Sequence, residues 1–179
     1  AEAFMLAKKE GNGPRRSILI MPVSGEEKGL LGSRYYTDNP IYPLESTVAN
    51  LNIDMIGRLD DWHDNGNYVY LIGSDRLSYD LHDLNEKIND EYIGIDLDYR
   101  FNDKDDPNRY YYRSDHYNFA KNNIPVIFYF NGVHEDYHKP SDTIEKLDFD
   151  KINTITKLIF LTAWEIANRD DRIKLRDDL

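Results

Sequence analysis

Two adjacent glutamates, Glu26 and Glu27, follow the apolar run 18–23 and precede a glycine-punctuated stretch that can start a helix. Adjacent carboxylates repel each other, so holding both at the end of a buried strand favours a nearby cation. With a divalent metal, one glutamate would coordinate the ion while the other acts on the metal-bound water. The alternative is a solvated pair that opens a helix, because acidic residues stabilise the positive end of the helix dipole. The pair alone leaves both interpretations open.

Further metal-binding side chains follow two other predicted strands. Asp54 lies near the end of the alternating stretch 49–56, and His138 lies in the loop after the apolar run 125–130. In open α/β sheets, sites form beyond the carboxyl ends of the strands, so these residues and the glutamate pair meet at one sheet edge. Carboxylate oxygens and an imidazole nitrogen are suitable zinc ligands. The convergence of three distant stretches therefore favours a metal site.

The elements that position these residues are predicted from hydrophobic periodicity. Apolar or alternating runs predict strands at 18–23, 49–56, 68–72, 96–101 and 125–130. Apolar stripes and breaker residues predict helices at 1–9, after Glu26 and Glu27 to about Tyr36, at 77–92, at 114–120 with Ser114 as its cap, and from about Asp148 onward. Strands that alternate with helices predict a three-layer α/β fold, with a mostly parallel mixed sheet flanked by helices. We interpret residues 1–179 as a single domain.

Composition argues against several classes of function. A net charge of −11 disfavours nucleic acid and anionic membrane surfaces as partners. No apolar run has membrane-spanning length, and the chain opens without a recognisable signal peptide. The absence of cysteine excludes disulfides, zinc–thiolate sites and cysteine nucleophiles.

Four motifs, taken together, resemble the co-catalytic zinc exopeptidases, which include bacterial leucyl-type aminopeptidases and, more distantly, glutamate carboxypeptidases. In chain order they are SGEEKGLLGS at 24–33, NIDMIGR at 52–58, SDH at 114–116 and YHKPSDT at 137–143. The resemblance implies a zinc-dependent exopeptidase, in particular an aminopeptidase, that hydrolyses peptide substrates with a metal-activated water and two zinc ions. It also implies a periplasmic or secreted location.

The resemblance assigns roles to five residues. It implies that Glu26 is the general base and that Tyr137 stabilises the oxyanion. It implies that Glu27 and His138 are zinc ligands and that Asp54 is a ligand of the other zinc.

One half of the resembled site is missing from this sequence. The family carries a His-x-Asp motif and a bridging aspartate upstream, whereas no histidine or aspartate precedes Glu26 here. We therefore expect the chain to be the C-terminal part of such a catalytic domain, with its N-terminal portion missing. One weakly held zinc or none is expected, and an uncovered sheet edge would favour oligomerisation. A catalytically inactive binding or scaffold relative, and a carboxypeptidase-type hydrolase, remain alternatives.

Several other residues have roles that the sequence leaves open. His116 is expected to support the metal ligands from outside the ligand shell, or to cap a helix, rather than to bind metal itself. Asp142 either orients His138 or makes a turn. Arg58 and Arg113 are the candidate cations for a substrate carboxylate. The remaining histidines are expected at the surface: His63, His82 and His134.

Overall fold

The computed structural model describes residues 1–179 and contains four β-strands and five α-helices. The strands are β1 (Asn50–Ile53), β2 (Tyr68–Ile72), β3 (Asp96–Asp98) and β4 (Val126–Phe130). The helices are α1 (Glu2–Lys9), α2 (Leu31–Asp38), α3 (Tyr79–Ile88), α4 (His116–Ala120) and α5 (Phe149–Asn168). None of these helices combines the length and the apolar character needed to cross a membrane.

The four strands form one mixed sheet with the order β1-β4-β2-β3. β1 pairs with β4 in parallel, and β2 pairs with β3 in parallel. The central pair, β2 and β4, is antiparallel, with Leu71 opposite Tyr129. The prediction of a mixed, mostly parallel sheet is therefore confirmed.

The core has two halves because successive residues of a strand point to opposite faces of the sheet. Every residue of β2 and β4 is buried. One face of these strands packs against α3 and α5, through residues such as Leu81, Ile155 and Leu158. The opposite face is largely aromatic and packs against α4, through Phe119 and Ala120. Helices thus cover both faces of the sheet, and the three-layer prediction is confirmed.

The long helix α5 begins where the sequence predicts it to begin. The Asp148 side chain caps it by accepting a hydrogen bond from the backbone N–H of Lys151 at 2.9 Å. The Lys151 side chain is buried, and its Nζ donates to the carbonyl oxygens of Gly66 and Tyr68 at 2.9 Å each. These contacts tie the start of α5 to the start of β2.

The predicted strand at 18–23 is wrong. These residues form no ladder with any strand, and the sheet ends at β1. Leu19 and Ile20 are 51% and 55% exposed. An apolar run becomes a strand only where a neighbouring backbone pairs with it, and this segment has no such neighbour.

The helix predicted to follow Glu26 and Glu27 begins only at Leu31. A short 3₁₀ turn at Glu26–Lys28 precedes α2, and between them Gly29 and Leu30 have positive φ angles of +100° and +56°. This left-handed backbone interrupts a right-handed helix, so that the glutamates lie on a separate turn.

Candidate metal centre

A cleft of about 250 Å³ is lined by residues that follow the carboxyl ends of β1 and β4. All five residues to which the sequence assigned roles line it: Glu26, Glu27, Asp54, Tyr137 and His138. The wall also includes apolar side chains, namely Met55, Phe128, Phe130, Val133 and Leu147. The cleft therefore combines a charged group of candidate ligands with an apolar lining.

The glutamate pair is held on its turn by glycines. Gly25, which precedes the turn, has a φ angle of +69°, a left-handed conformation that glycine adopts without steric cost. Gly32 lies against the same turn, where a Cβ atom would come within 2.6 Å of the Ser24 carbonyl oxygen. The glycines of the motif thus allow the tight turn that brings Glu26 and Glu27 to the cleft.

Asp54 directly follows β1 and is held by a side chain from a distant segment. Ser114 Oγ donates to Asp54 Oδ2 at 2.8 Å and accepts from Asn52 Nδ2 at 2.9 Å. Ser114 is buried, and α4 has no side-chain cap. The prediction that Ser114 caps this helix is therefore wrong, because its hydroxyl group fixes the Asp54 carboxylate instead.

His138 reaches the glutamate turn from the loop after β4. Its Nε2 lies 2.7 Å from Glu27 Oε1, and its ring stacks on the Tyr137 ring with 3.7 Å between centroids. The backbone of His138 has a φ angle of +57°, which is unusual for a residue with a Cβ atom. Two residues that are far apart in the sequence thus present a carboxylate oxygen and an imidazole nitrogen to each other.

Electrostatic repulsion is concentrated at Glu26. Burial, together with the negative charges of Asp54, Glu27 and Asp115, raises the pKa of Glu26 to about 7, although Arg113 acts in the opposite direction. Burial also raises the pKa of Asp54, and the hydrogen bond from Ser114 partly offsets this effect. The centre is therefore short of positive charge, and a cation would stabilise its ionised carboxylates.

The donor set fits zinc, which takes carboxylate oxygen and imidazole nitrogen ligands. Glu27 and His138 already lie within ligand-to-ligand distance of each other. The ligand atoms of Glu27, Asp54 and His138 do not all lie within 4.8 Å of one another, so Asp54 stands apart from the Glu27–His138 pair. The arrangement therefore matches a Glu27–His138 pair and a separate Asp54 more closely than one three-ligand site.

Arg58 and Asp142 are engaged with each other, not with His138. Arg58 Nη1 donates to Asp142 Oδ1 at 2.5 Å, and Arg58 Nη2 donates to Asp136 Oδ2 at 2.6 Å. Asp142 therefore does not orient His138 through a direct hydrogen bond. Arg113 also lines the cleft, and its guanidinium lies 5.0 Å from the centre of the Tyr110 ring. Of the two candidate cations, Arg113 is thus the one without a carboxylate partner.

The other histidines are less exposed than the sequence suggests. His116 is fully buried against Phe128, with ring centroids 4.7 Å apart, and burial lowers its pKa to about 3. Neither of its ring nitrogens makes a hydrogen bond of good geometry, so it is a core residue and not a helix cap. Three residues predicted at the surface are only partly exposed, with side-chain exposures of 13%, 19% and 6%: His63, His82 and His134.

Asp115 stands in the SDH motif at 114–116, but the sequence assigned it no role. Its carboxylate accepts a hydrogen bond from Ser33 Oγ at 2.5 Å, and Asn118 Nδ2 donates to the same hydroxyl at 2.7 Å. This buried group adds to the negative charge around Glu26. Its partner, Ser33, lies 82 positions away in the sequence, so no local pattern could have indicated the contact.

Fold and site together define an α/β protein with a carboxylate- and histidine-lined centre at the sheet edge. Residues 2–163 match the model of peptidase family M28. The chain belongs to peptidase family M28.

Individual proteins are similar to the chain in sequence or in fold. The chain is 31% identical over 148 residues to a "Probable leucine aminopeptidase" of Arthroderma benhamiae, a match that covers 80% of the chain and 37% of that relative. LapB of Legionella pneumophila has the same fold, with a TM-score of 0.73 and 18% identity over 92% of the chain and 43% of LapB. So does BSAP, described as a zinc aminopeptidase from Bacillus subtilis, with a TM-score of 0.63 and 22% identity over 84% of the chain and 36% of BSAP. The chain thus spans less than half the length of each of these proteins.

Proposed function

We propose that the chain supplies one side of the active site of a zinc-dependent exopeptidase of the aminopeptidase type. The observation that carries this proposal is the position of Glu26, a carboxyl group with a pKa raised to about 7, beside the Glu27–His138 pair. A general base works best when its pKa lies near the working pH, and Glu26 meets that condition.

Names of relatives support the same reaction. The Arthroderma protein is described as a probable leucine aminopeptidase, and the Bacillus protein is described as a zinc aminopeptidase. Because the chain covers 37% of the first and 36% of the second, the activity of the whole protein is inferred. The apolar lining beside the charged centre, which includes Phe128 and Leu147, favours a substrate with an apolar N-terminal residue.

Each residue of the centre has a chemical task in this proposal. Glu27 and His138 would hold one zinc ion and Asp54 another, and zinc would supply a Lewis acid and an activated water. Glu26 accepts the proton of the attacking water and passes it to the leaving amine. The Tyr137 hydroxyl donates to the oxyanion, and burial raises its pKa, which keeps it protonated.

Zinc uptake by the chain tests the proposal directly. In equilibrium dialysis against excess zinc followed by elemental analysis, the wild-type chain is expected to bind one zinc ion weakly, through Glu27 and His138. Glu27→Gln and His138→Ala are each expected to weaken retention at least tenfold, since each removes a ligand. Glu2→Gln, in α1, is the matched control and should change nothing. Zinc retention that is insensitive to both Glu27→Gln and His138→Ala would contradict the assignment.

A further inference from the structure

Arg58 makes two ion pairs that connect the segment after β1 with the loop after β4. Its Nη1 donates to Asp142 Oδ1 at 2.5 Å and its Nη2 donates to Asp136 Oδ2 at 2.6 Å. The Arg58 side chain is only 14% exposed, and that of Asp136 is 6% exposed. The Asp142 side chain is 39% exposed, so the pair with Asp136 is the shielded one. A guanidinium that engages two carboxylates at once, one of them shielded, is a more rigid connection than a single surface ion pair.

The two acids flank the candidate zinc ligand His138 in the sequence. Asp136 stands two positions before it, and Asp142 stands four positions after it. The intervening loop has no strand or α-helix, and its backbone hydrogen bonds are short-range turns, such as Tyr137 N–H to the His134 carbonyl at 3.0 Å. The loop therefore depends on side-chain contacts to keep one conformation.

His138 itself adds to this dependence. Its φ angle of +57° lies in the left-handed region, which a residue with a Cβ atom occupies only when its surroundings enforce it. Besides the contact with Glu27 and the stacked Tyr137 ring, the anchors nearest to it in the chain are Asp136 and Asp142. Lys146 Nζ also donates to Asp136 at 2.7 Å and strengthens that anchor.

Arg58 also stands four positions after Asp54, the other candidate ligand. One side chain thus links the segment that carries Asp54 to the loop that carries His138. Both terminal nitrogens of Arg58 already donate to carboxylates, so the residue is committed to this link and is not a free cation for a substrate.

We propose that Arg58 is a positioning residue, which holds the His138 loop in the conformation that binds zinc through its ion pairs with Asp136 and Asp142. This inference rests on the proposed function, because it takes His138 as a zinc ligand. Partners outside the ligand shell that orient a metal ligand typically contribute 10- to 100-fold to metal affinity.

Zinc affinity and loop protection test this role in the same set of variants. Arg58→Gln is expected to weaken zinc binding about 10- to 100-fold in competition with a chelator. Arg58→Lys keeps the charge but cannot engage both carboxylates in the same planar geometry, so its loss should be smaller. Arg15→Gln is the matched control, because it breaks an exposed ion pair with Asp170 and should leave zinc affinity unchanged.

Hydrogen exchange gives a second measurement that does not depend on zinc. In Arg58→Gln, the amides of Tyr137 and Lys139 should exchange faster, while those of the central strands β2 and β4 keep their protection. A merely structural role would lower protection throughout the chain and leave the zinc affinity of the folded protein unchanged, and that result would overturn the proposal.

The two hypotheses fail in different ways. A wild-type chain that takes up no zinc even at excess metal refutes Glu27 and His138 as a zinc-binding pair of this chain, and loop exchange then decides the role of Arg58 alone. Unchanged exchange at Tyr137 and Lys139 in Arg58→Gln overturns the positioning role. Normal zinc uptake by the wild type with equal affinity in Arg58→Gln also overturns it, while the proposed function stands.

Discussion

Glu26 is a carboxyl group surrounded by charges of its own sign. Its neighbours Glu27, Asp54 and Asp115 add to the effect of burial in raising its pKa to about 7, and Arg113 alone opposes them. At neutral pH such a group exchanges protons readily in both directions. That property suits a residue that takes a proton from water and later returns it.

The first prediction concerns the chemistry of this residue. Glu26→Gln should retain zinc and lose hydrolysis of aminoacyl anilides by about 10²- to 10⁴-fold, in a protein with the intact active site. The reason is that the amide keeps the shape of the side chain but cannot accept the proton. Activity close to that of the wild type would exclude Glu26 as the base, and Glu2→Gln serves as the control for loss of a charge elsewhere.

The second prediction concerns pH and stability in the zinc-free chain. A carboxyl group whose pKa is raised in the folded state binds its proton more tightly there, so its stabilising contribution is complete below pH 4.5 and is lost as pH rises to about 7. We expect this residue to cost the chain about 1 to 2 kcal/mol over that interval, after allowance for solvent screening of a partly exposed group. Denaturant unfolding at pH 5 and pH 8 measures the loss.

The control for this measurement is Glu26→Gln, whose stability should lack that part of the pH dependence. An identical pH profile in the wild type and in Glu26→Gln would show that the pKa of Glu26 is not raised in the folded chain.

At the scale of elements, local sequence was sufficient to predict a strand or helix that has a clear hydrophobic pattern of its own. The five apolar residues of β2 were predicted with their observed bounds, and α5 begins at its predicted start, near Asp148. The segment 18–23 carries the same apolar signal but has no strand beside it, so the same reasoning failed there. Periodicity shows that a segment can be buried in a sheet, but it does not show whether a neighbour is present.

The third prediction concerns the helix layer formed by α5. Leu158 lies in α5 and is fully buried in the core that this helix forms with the sheet. Leu158→Ala should therefore destabilise the chain by about 2 to 5 kcal/mol through lost contacts and a cavity. Leu6→Ala, at a site that is 53% exposed in α1, should change stability by less than about 0.5 kcal/mol. Urea unfolding of both variants checks the difference, and equal losses would show that α5 is not part of the cooperative core.

The sequence predicted the main residues of the candidate site but not the contacts that support them. The motifs indicated Glu26, Glu27, Asp54, Tyr137 and His138, and all of them line one cleft. The supporting contacts were not predictable, because Ser114 reaches Asp54 across 60 positions and Arg58 reaches Asp136 across 78 positions. Folding brings such distant partners together, and no local pattern in a single sequence indicates them.

At the scale of the whole molecule, the sheet has an open edge at β1. Its outer side has no paired strand, and Ile53 is 52% exposed there. Leu19 and Ile20, in the unpaired segment, are exposed as well. Unpaired backbone groups together with exposed apolar side chains favour pairing with another chain.

The fourth prediction follows from this edge, and we propose that the chain self-associates through it. Sedimentation velocity should show an average mass that rises with concentration, and Ile53→Lys should weaken the association, because a lysine on an edge strand opposes pairing. Ile41→Lys, at a 77% exposed loop position, is the control and should have no effect. A chain that remains monomeric at every concentration would rule out association at this edge.

The buried Lys151 gives the molecule an internal reporter of its own opening. This amine is 4% exposed, and burial lowers its pKa to about 8, so near that pH a large share of it is the reactive free base, although no reagent can reach it. Acetylation of Lys151, followed by mass spectrometry, should therefore proceed at a rate set by the fraction of time that α5 is separated from β2. The exposed Lys139 would be labelled at once and would calibrate the reagent. The labelling rate of this one amine would in this way measure the opening equilibrium of the chain in plain buffer, without denaturant.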